Sequence, residues 1–229
     1  MASLIRLSWG LDKGYGIGET IPMPNRLKGH LMTQALIVID VQNDFCPNGA
    51  LAVAGGDGIV AGINTLMKDF DAVVLTQDWH PPGHSSFASS HDGKAPYEMT
   101  KMPYGDQVLW PDHCIIGSNG AQFHKGLDQD HADIIIRKGY NPAIDSYSAF
   151  FENDQTTPTG LEGYLHTRGI SKVVMVGLAT DFCVKFSAMD AAKLGFDVTV
   201  NIDLCRAIDM NGSLGAAIKD MNAAGVKIV

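Results

Sequence analysis

The sequence predicts an α/β fold of three layers, in which helices cover both faces of a mainly parallel, six-stranded sheet. Short β-branched, apolar runs alternate with longer amphipathic stretches, as expected for βαβ units. The runs are almost uniformly apolar, which is typical of strands buried on both faces. Gly195 and Gly225 stand where helices are expected to end. These observations favour one domain built around a doubly covered sheet.

Six runs are predicted to be the strands. They are rich in Val, Ile and Leu, and none alternates strictly between apolar and polar residues. In chain order they span residues 35–40, 72–76, 132–137, 172–177, 197–202 and 226–229.

Between these runs, helical periodicity is clearest in residues 57–70, 182–194 and 211–224. Two long segments, 77–131 and 139–159, interrupt the alternation. Loops of this length in a compact domain are usually functional. In open α/β sheets the ligand site lies at the carboxyl ends of the strands, where these segments begin.

Composition excludes several classes of protein. The 229 residues carry 17 basic and 25 acidic side chains, a net charge of -8. This balance, without a stripe of Lys and Arg, argues against a nucleic-acid partner. No apolar run approaches the roughly 18 residues that span a bilayer, so no membrane role is expected.

The cysteines indicate a reducing compartment. They form no CxxC pair, so neither a disulfide framework nor a zinc finger is indicated, and a cytoplasmic location is predicted. The four are Cys46, Cys114, Cys183 and Cys205.

The first 31 residues are punctuated by Gly and Pro and lack the features of a secretion signal. Met32 is followed closely by the first apolar run. We therefore predict that residues 1–31 are an extension outside the core and that 32–229 form a single domain.

Cys183 is a candidate nucleophile. It ends the stretch GLATDFC (177–183), after a predicted strand and in the first turn of a predicted helix. Unpaired N–H groups and the helix dipole favour a thiolate there, and the same N–H groups can bind an oxyanion. Alternatively, Cys183 is a small buried residue that packs helix on sheet, and position alone favours this interpretation.

Two more polar residues close predicted strands. Asp40 follows ALIVI, and Lys138 follows IIIR. If both strands neighbour the strand before Cys183, a carboxylate that takes the thiol proton and a cation that stabilises the thiolate meet at one edge. Alternatively, strand ends are polar because they meet water, and this is favoured for Lys138 taken alone.

A second polar group lies in the segment 77–131. Asp78, His80 and His84 fall within DWHPPGH, and His113 follows in WPDHC. One carboxylate and three imidazoles suit a transition metal such as zinc, iron or manganese. Such histidine spacing outside a helix also arises by chance, so the residues alone leave the metal site open.

Aromatic residues in the strand-end loops have two interpretations. They form an aromatic-walled slot for a flat ligand, or they only cover the edge of the sheet. These residues are Phe45, Trp79, Trp110, Tyr147 and Phe150.

Several motifs in order make the chain resemble the nicotinamidase family of isochorismatase-like cysteine hydrolases. The resemblance runs from about Ala35 to the C-terminus, and residues 1–31 have no counterpart. Its motifs are DVQNDFC (40–46), TQDWHPPGHSSFAS (76–89), LWPDHC (109–114), RKGYNP (137–142), DSYSAF (145–150) and GLATDFCV (177–184). An isochorismatase-like form of the three-layer fold is implied.

The resemblance implies roles for the residues at the strand ends. Cys183 is the implied nucleophile, Asp40 the acid/base and Lys138 the third member of the triad. The amides of Ala179 and Cys183 are implied to form the oxyanion hole, with a cis peptide between Leu178 and Ala179.

The loop residues also gain implied roles. One divalent transition metal, which is zinc, iron or manganese, is implied to orient the ring nitrogen of the substrate. Phe45 and Trp110 match positions that sandwich a pyridine ring, and Tyr147 matches a further position of the pocket. The implied metal ligands are Asp78, His80, His84 and His113.

The implied reaction is hydrolysis of nicotinamide to nicotinic acid and ammonia in NAD salvage, with pyrazinamide as a further substrate. One alternative is an amidase for carbamoyl or ureido substrates, whose members generally lack the Asp-x-His and distant His. An isochorismatase is disfavoured because its vinyl-ether chemistry does not use a cysteine nucleophile. A metal-binding scaffold without turnover is the alternative from a different class. A homo-oligomer is compatible with the family, whose members range from monomers to larger assemblies.

Overall fold

The computed structural model describes residues 34–229. The predicted extension 1–31 and the predicted domain start at Met32 lie outside the described residues. The strands are β1 Gln34–Ile39, β2 Val73–Asp78, β3 Met99–Met102, β4 Gly105–Val108, β5 Ile134–Lys138, β6 Lys172–Leu178, β7 Asp197–Arg206 and β8 Lys227–Ile228. The helices are α1 Val60–Met67, α2 Leu161–Thr167, α3 Lys185–Lys193 and α4 Ser213–Ala223.

Within residues 34–229, six strands form one sheet in the order β5-β2-β1-β6-β7-β8. Every pair in this sheet is parallel. The six predicted strands and the α/β fold class are thereby confirmed. β7 extends to Arg206, beyond its predicted end, and its register with β6 shifts between Met175 and Gly177.

Two hydrophobic cores cover the two faces of the sheet. Alternate residues of β1 enter different cores because successive side chains of a strand point to opposite faces. Ile37 packs in the core that contains Leu165 of α2 and Ala188 of α3. Leu36 packs in the core that contains Ile63 of α1. This arrangement explains why the strand runs are uniformly apolar.

The helices differ from the prediction at their starts. Each of the three predicted helices becomes regular only after a tighter or wider turn, at residues 56–59, 180–184 and 210–212. Gly195 and Gly225 take left-handed φ values of 91° and 83° just after α3 and α4, as predicted.

Three elements were not predicted: α2, β3 and β4. α2 is only seven residues long and contains Gly163, so its periodic signal is weak. β3 and β4 pair antiparallel within the segment 77–131. Their sequences, MTKM and GDQV, are too polar to resemble the other strands.

The chain changes direction across the sheet between β1 and β6. β2 and β5 lie on one side of β1, whereas β6, β7 and β8 lie on the other. A crevice forms at the carboxyl ends of strands at such a switch point. Gly177 brings the two ends close: its φ is 119°, and a Cβ atom there would lie 2.1 Å from the Ile39 carbonyl oxygen. Among residues 34–229, no helix combines the length and apolar character needed to cross a membrane.

Candidate active site

Asp40 lies at the carboxyl end of β1 and is fully buried. Its φ of 48° is in the left-handed region, which is uncommon for a residue with a side chain. The Thr76 hydroxyl donates to Asp40 Oδ1 at 2.6 Å, and the Asp40 amide donates to Thr76 Oγ1 at 3.1 Å. The carboxyl is therefore held in one orientation at the switch point.

Lys138 reaches the same place from the edge of the sheet. The condition that both strands neighbour the Cys183 strand is met by β1 but not by β5, because β2 and β1 separate β5 from β6. The long side chain spans this distance: Nζ lies 2.9 Å from Asp40 Oδ2, 2.9 Å from Asp78 Oδ1 and 2.8 Å from the Ser146 carbonyl oxygen. Cys183 Sγ lies 3.4 Å away. Lys138 is 1% exposed, so the interpretation as a solvated lysine is also wrong.

Cys183 sits in a single π-helical turn, Thr180–Val184, between β6 and α3. Burial raises the pKa of its thiol well above the usual value, and the opposing effect of Lys138 is smaller. The thiolate that the helix start predicts is thus disfavoured here, and a base is needed to remove the proton. Asp40, whose carboxyl contacts the same Lys138 ammonium as this thiol, is in position to do so.

The Asp40 carboxyl is tuned by opposing effects. Burial raises its pKa above the ordinary value, and this effect outweighs the attraction of Lys138. Burial alone would lower the pKa of Lys138. The negative charges of Asp40 and Asp78 outweigh this effect and raise the pKa well above its usual value. The ammonium therefore stays charged while the carboxyl is a stronger base than an ordinary aspartate.

The turn before Cys183 has the predicted backbone. The peptide between Leu178 and Ala179 is cis. The Ala179 carbonyl accepts hydrogen bonds from the amides of Phe182 and Val184, each at 3.1 Å. These bonds fix the turn in which the Cys183 amide lies beside its own thiol.

Asp78, His80 and His113 converge into a buried cluster with the geometry of a metal site. Asp78 Oδ2 lies 3.2 Å from His80 Nε2 and 3.5 Å from His113 Nε2. Each histidine directs Nδ1 at a backbone carbonyl oxygen, that of Gly139 or Pro111, at 2.8 Å. A carbonyl at Nδ1 leaves the lone pair on Nε2, as in metal-bound histidines. His80 Nε2 is buried without a hydrogen-bond partner, so a cation fits here.

Gly139 makes room for this cluster. It directly follows β5 with a φ of 68°, and a Cβ atom there would lie 2.5 Å from His80 Cε1. A glycine is therefore required where β5 ends against the imidazole.

His84 is not brought into that cluster. Its Nε2 lies 2.8 Å from the Asn141 carbonyl oxygen, and its Nδ1 lies 2.8 Å from Ser86 Oγ. It forms instead a second buried group with His80 and Asp145. Burial lowers the pKa of His84, which favours a neutral ring. Asp145 was missed by the sequence analysis, although it opens the motif DSYSAF; no apolar strand precedes it to mark it as a strand-end residue.

A small, partly enclosed cavity opens beside Cys183. Its walls include all three predicted ligand contacts, Phe45, Trp110 and Tyr147. The Trp110 and Phe182 rings meet edge to face with centroids 4.8 Å apart. The complete lining is Phe45, Leu51, Asp78, Trp110, His113, Asp145, Tyr147, Ala179, Phe182, Cys183 and Ile208.

The aromatic residues of the loops divide between the two interpretations. The Arg137 guanidinium lies over Trp79, with its Cζ atom 4.1 Å from the centroid of the indole ring. Phe150 packs in the core against Phe196. Neither lines the cavity. Leu51 and Ile208 line it but gave no signal in the sequence, because isolated apolar residues in loops are common.

Comparison with known proteins gives a consistent result. The family described as "Isochorismatase domain" matches residues 34–229. A nicotinamidase of Acinetobacter baylyi is 57% identical over 193 residues, which cover 84% of this chain and 90% of the relative.

Solved structures agree with this match. A protein of L. infantum called PnC1, crystallised with nicotinate, aligns with a TM-score of 0.76 and 41% identity, over 87% of this chain and 93% of that one. A pyrazinamidase of Pyrococcus horikoshii, in complex with zinc, aligns with a TM-score of 0.70 and 35% identity, over 86% of this chain and 98% of that one.

Proposed function

The chain belongs to the isochorismatase domain family, and we propose from that premise that it is a nicotinamidase. It is an amidohydrolase that converts nicotinamide to nicotinic acid and ammonia. The observation that carries this proposal is the convergence of Cys183 and Asp40 on the Lys138 ammonium beside an aromatic-walled cavity.

Catalysis begins with proton transfer from Cys183 to Asp40. The resulting thiolate attacks the carboxamide carbon, and the amides of Ala179 and Cys183 stabilise the oxyanion. When the C–N bond breaks, Asp40 returns the proton to the leaving nitrogen, and ammonia departs. Asp40 then takes a proton from water, which attacks the thioester; nicotinic acid is released and the thiol is restored.

Lys138 positions the groups that exchange the proton. Its ammonium touches Asp40, Asp78 and Cys183, so it holds the base beside the nucleophile. It also stabilises whichever of Asp40 or Cys183 is negatively charged at each stage.

The cluster of Asp78, His80 and His113 would hold one divalent transition metal. Its donor set, one carboxylate and two imidazoles, accepts zinc, iron or manganese, and the zinc-bound relative favours zinc. When bound, the ion offers a Lewis-acid site that orients the ring nitrogen of the substrate. His84, the fourth implied ligand, would first have to release Ser86 and Asn141.

The cavity suits a flat aromatic amide. Phe45 and Trp110 would enclose the pyridine ring, and Tyr147 would complete the wall. The relative with bound nicotinate supports a pyridine carboxylate as product. Pyrazinamide presents a similar ring and the same carboxamide, so we infer that it is also hydrolysed in this cavity.

We infer that the active domain is residues 32–229 and that it works in a reducing, cytoplasmic environment. The family match over residues 34–229 supports the first inference. Cys46, Cys114, Cys183 and Cys205 all carry free thiols, which supports the second.

Ammonia release from nicotinamide tests the proposal. Purified protein should release ammonia, lose this activity after treatment with a chelator and regain it with added zinc, iron or manganese. Absence of ammonia from metal-loaded protein would refute nicotinamide as the substrate. Carbamoyl and ureido amides would then be assayed with the same protein.

A further inference from the structure

We propose that Asp145 is a second carboxylate of the metal centre, beside Asp78, which holds a metal-bound water and strengthens cation binding. The inference rests on the proposed function, since it assumes an ion at Asp78, His80 and His113. It concerns a residue outside that cluster of three.

The position of Asp145 supports this role. The residue is 2% exposed, and it lines the cavity together with Asp78 and His113. Its Oδ1 lies 4.0 Å from His80 Nε2, whereas Asp78 Oδ2 lies 3.2 Å from the same nitrogen. The longer separation suits a contact through water better than direct ligation. His80 Nε2 is one of the buried side-chain atoms in residues 34–229 that lack a hydrogen-bond partner.

The charges of the buried groups lead to the same conclusion. Asp40, Asp78 and Asp145 are three buried acids, against the single buried ammonium of Lys138 at this site. Buried charge is stable only when it is paired or coordinates a metal. A bound cation would offset this excess of buried acidic groups, to which Asp145 contributes.

Asp145 is fixed by neutral donors. The Gln107 side chain donates Nε2 to Asp145 Oδ2 at 2.9 Å, and the Ser146 amide donates to Oδ1 at 2.8 Å. Gln107 Oε1 accepts from Asn153 Nδ2 at 3.0 Å, which sets the orientation of the amide. Among residues 34–229, no lysine or arginine pairs with Asp145, and the one basic side chain within 4.0 Å of its carboxylate is the imidazole of His80. These bonds orient the carboxylate but do not neutralise it.

His84 is the competing candidate for this role. Both of its ring nitrogens already contact oxygen atoms, those of Ser86 and the Asn141 backbone. Asp145 therefore offers the free negative charge that a cation attracts, and His84 offers support to the loop.

Zinc affinity measured by competition with a fluorescent chelator distinguishes the two residues. We expect Asp145→Asn to weaken zinc binding by about 10- to 100-fold, the usual cost of losing an outer-shell partner. His84→Gln, which can keep a donor toward Asn141, should bind within about threefold of wild type on the same reasoning. Asp197→Asn, at an exposed acid paired with Lys227, is the control and should leave affinity unchanged.

Thermal unfolding separates this role from a structural one. Without metal, Asp145→Asn relieves repulsion among buried acids, so its Tm should equal or exceed that of wild type. With saturating zinc, the rise in Tm should be smaller than in wild type, because a weaker ligand stabilises less.

The inference is overturned if Asp145→Asn binds zinc within twofold of wild type, if His84→Gln loses more affinity, or if the wild type binds no zinc. Failure of zinc-loaded wild type to release ammonia from nicotinamide is a separate result. It would refute the proposed substrate and leave the zinc affinities to decide the role of Asp145.

Discussion

The candidate site joins two regions that are held together by different forces. The sheet rim comprises Asp40, Lys138 and Cys183. Lys138 ends β5, Asp40 directly follows β1, and Cys183 lies in the turn after β6. The loop wall, which comprises Gln107, Trp110, Asp145 and Tyr147, comes from the two long inserted segments. Backbone topology fixes the rim, whereas side-chain hydrogen bonds fix the wall: Gln107 and Trp110 both donate to the Tyr147 hydroxyl, at 2.8 and 3.1 Å. We therefore expect rim substitutions to affect chemistry and wall substitutions to affect binding.

The largest effect should follow removal of the nucleophile. Cys183→Ala should lower kcat for nicotinamide by at least about 10⁴-fold, because no thioester can form. Circular dichroism and zinc content should match those of wild type. Substantial ammonia release by this variant would exclude the covalent mechanism and remove the rim from catalysis.

Removal of the rim cation should damage both stability and activity. Lys138→Met leaves Asp40 and Asp78 buried without their ammonium, and breaking a buried pair typically costs about 3–5 kcal/mol. Urea unfolding measures the loss. Arg137→Met is the control, since this exposed neighbour on β5 stacks on Trp79 and should lose far less. If both variants lost the same unfolding free energy, the loss in Lys138→Met would reflect a general sensitivity of β5 to substitution and not the missing ammonium.

A smaller effect is expected at the wall. Trp110→Leu should raise KM for nicotinamide about tenfold, because an aromatic contact is worth about 1–1.5 kcal/mol beyond its area. The kcat should change much less, since the Trp110 indole donates its hydrogen bond to Tyr147 of the wall. A fall in kcat with unchanged KM would show that the wall acts in the chemical step.

The smallest effect should come from an aromatic residue of the same loops that faces the core. Phe150→Leu should cost roughly 1.5 kcal/mol of unfolding free energy or less, as for other apolar exchanges of similar volume. Its KM should equal that of wild type, because Phe150 does not line the cavity. A change in KM would mean that core packing sets the shape of the wall.

The two regions also differ in how far the sequence predicts them. Apolar runs locate the strands, and strand order brings Asp40 and Cys183 to one rim, so these positions follow from local pattern. The burial of Lys138 does not, because it depends on Asp78, a residue 60 positions away. Asp145 and Gln107 lack any periodic signal, since polar contacts between loops hold them. His84 shares a motif with His80 and yet turns toward Asn141, a choice made by the loop fold.

The pairing of β1 with β6 has a consequence for biogenesis. The partner edge for Ile39 arrives with Gly177, more than a hundred residues later during translation. Until then, an emerging chain presents an Ala-Leu-Ile-Val-Ile strand with one unpaired edge, the kind of segment that self-associates. Pairing β1 with β6 closes a long loop, and the entropy cost of closing that loop makes the step slow. We therefore expect this pairing, and not helix formation, to limit the rate of refolding. Newly made chains, not mature ones, are therefore the population that we expect to need chaperones.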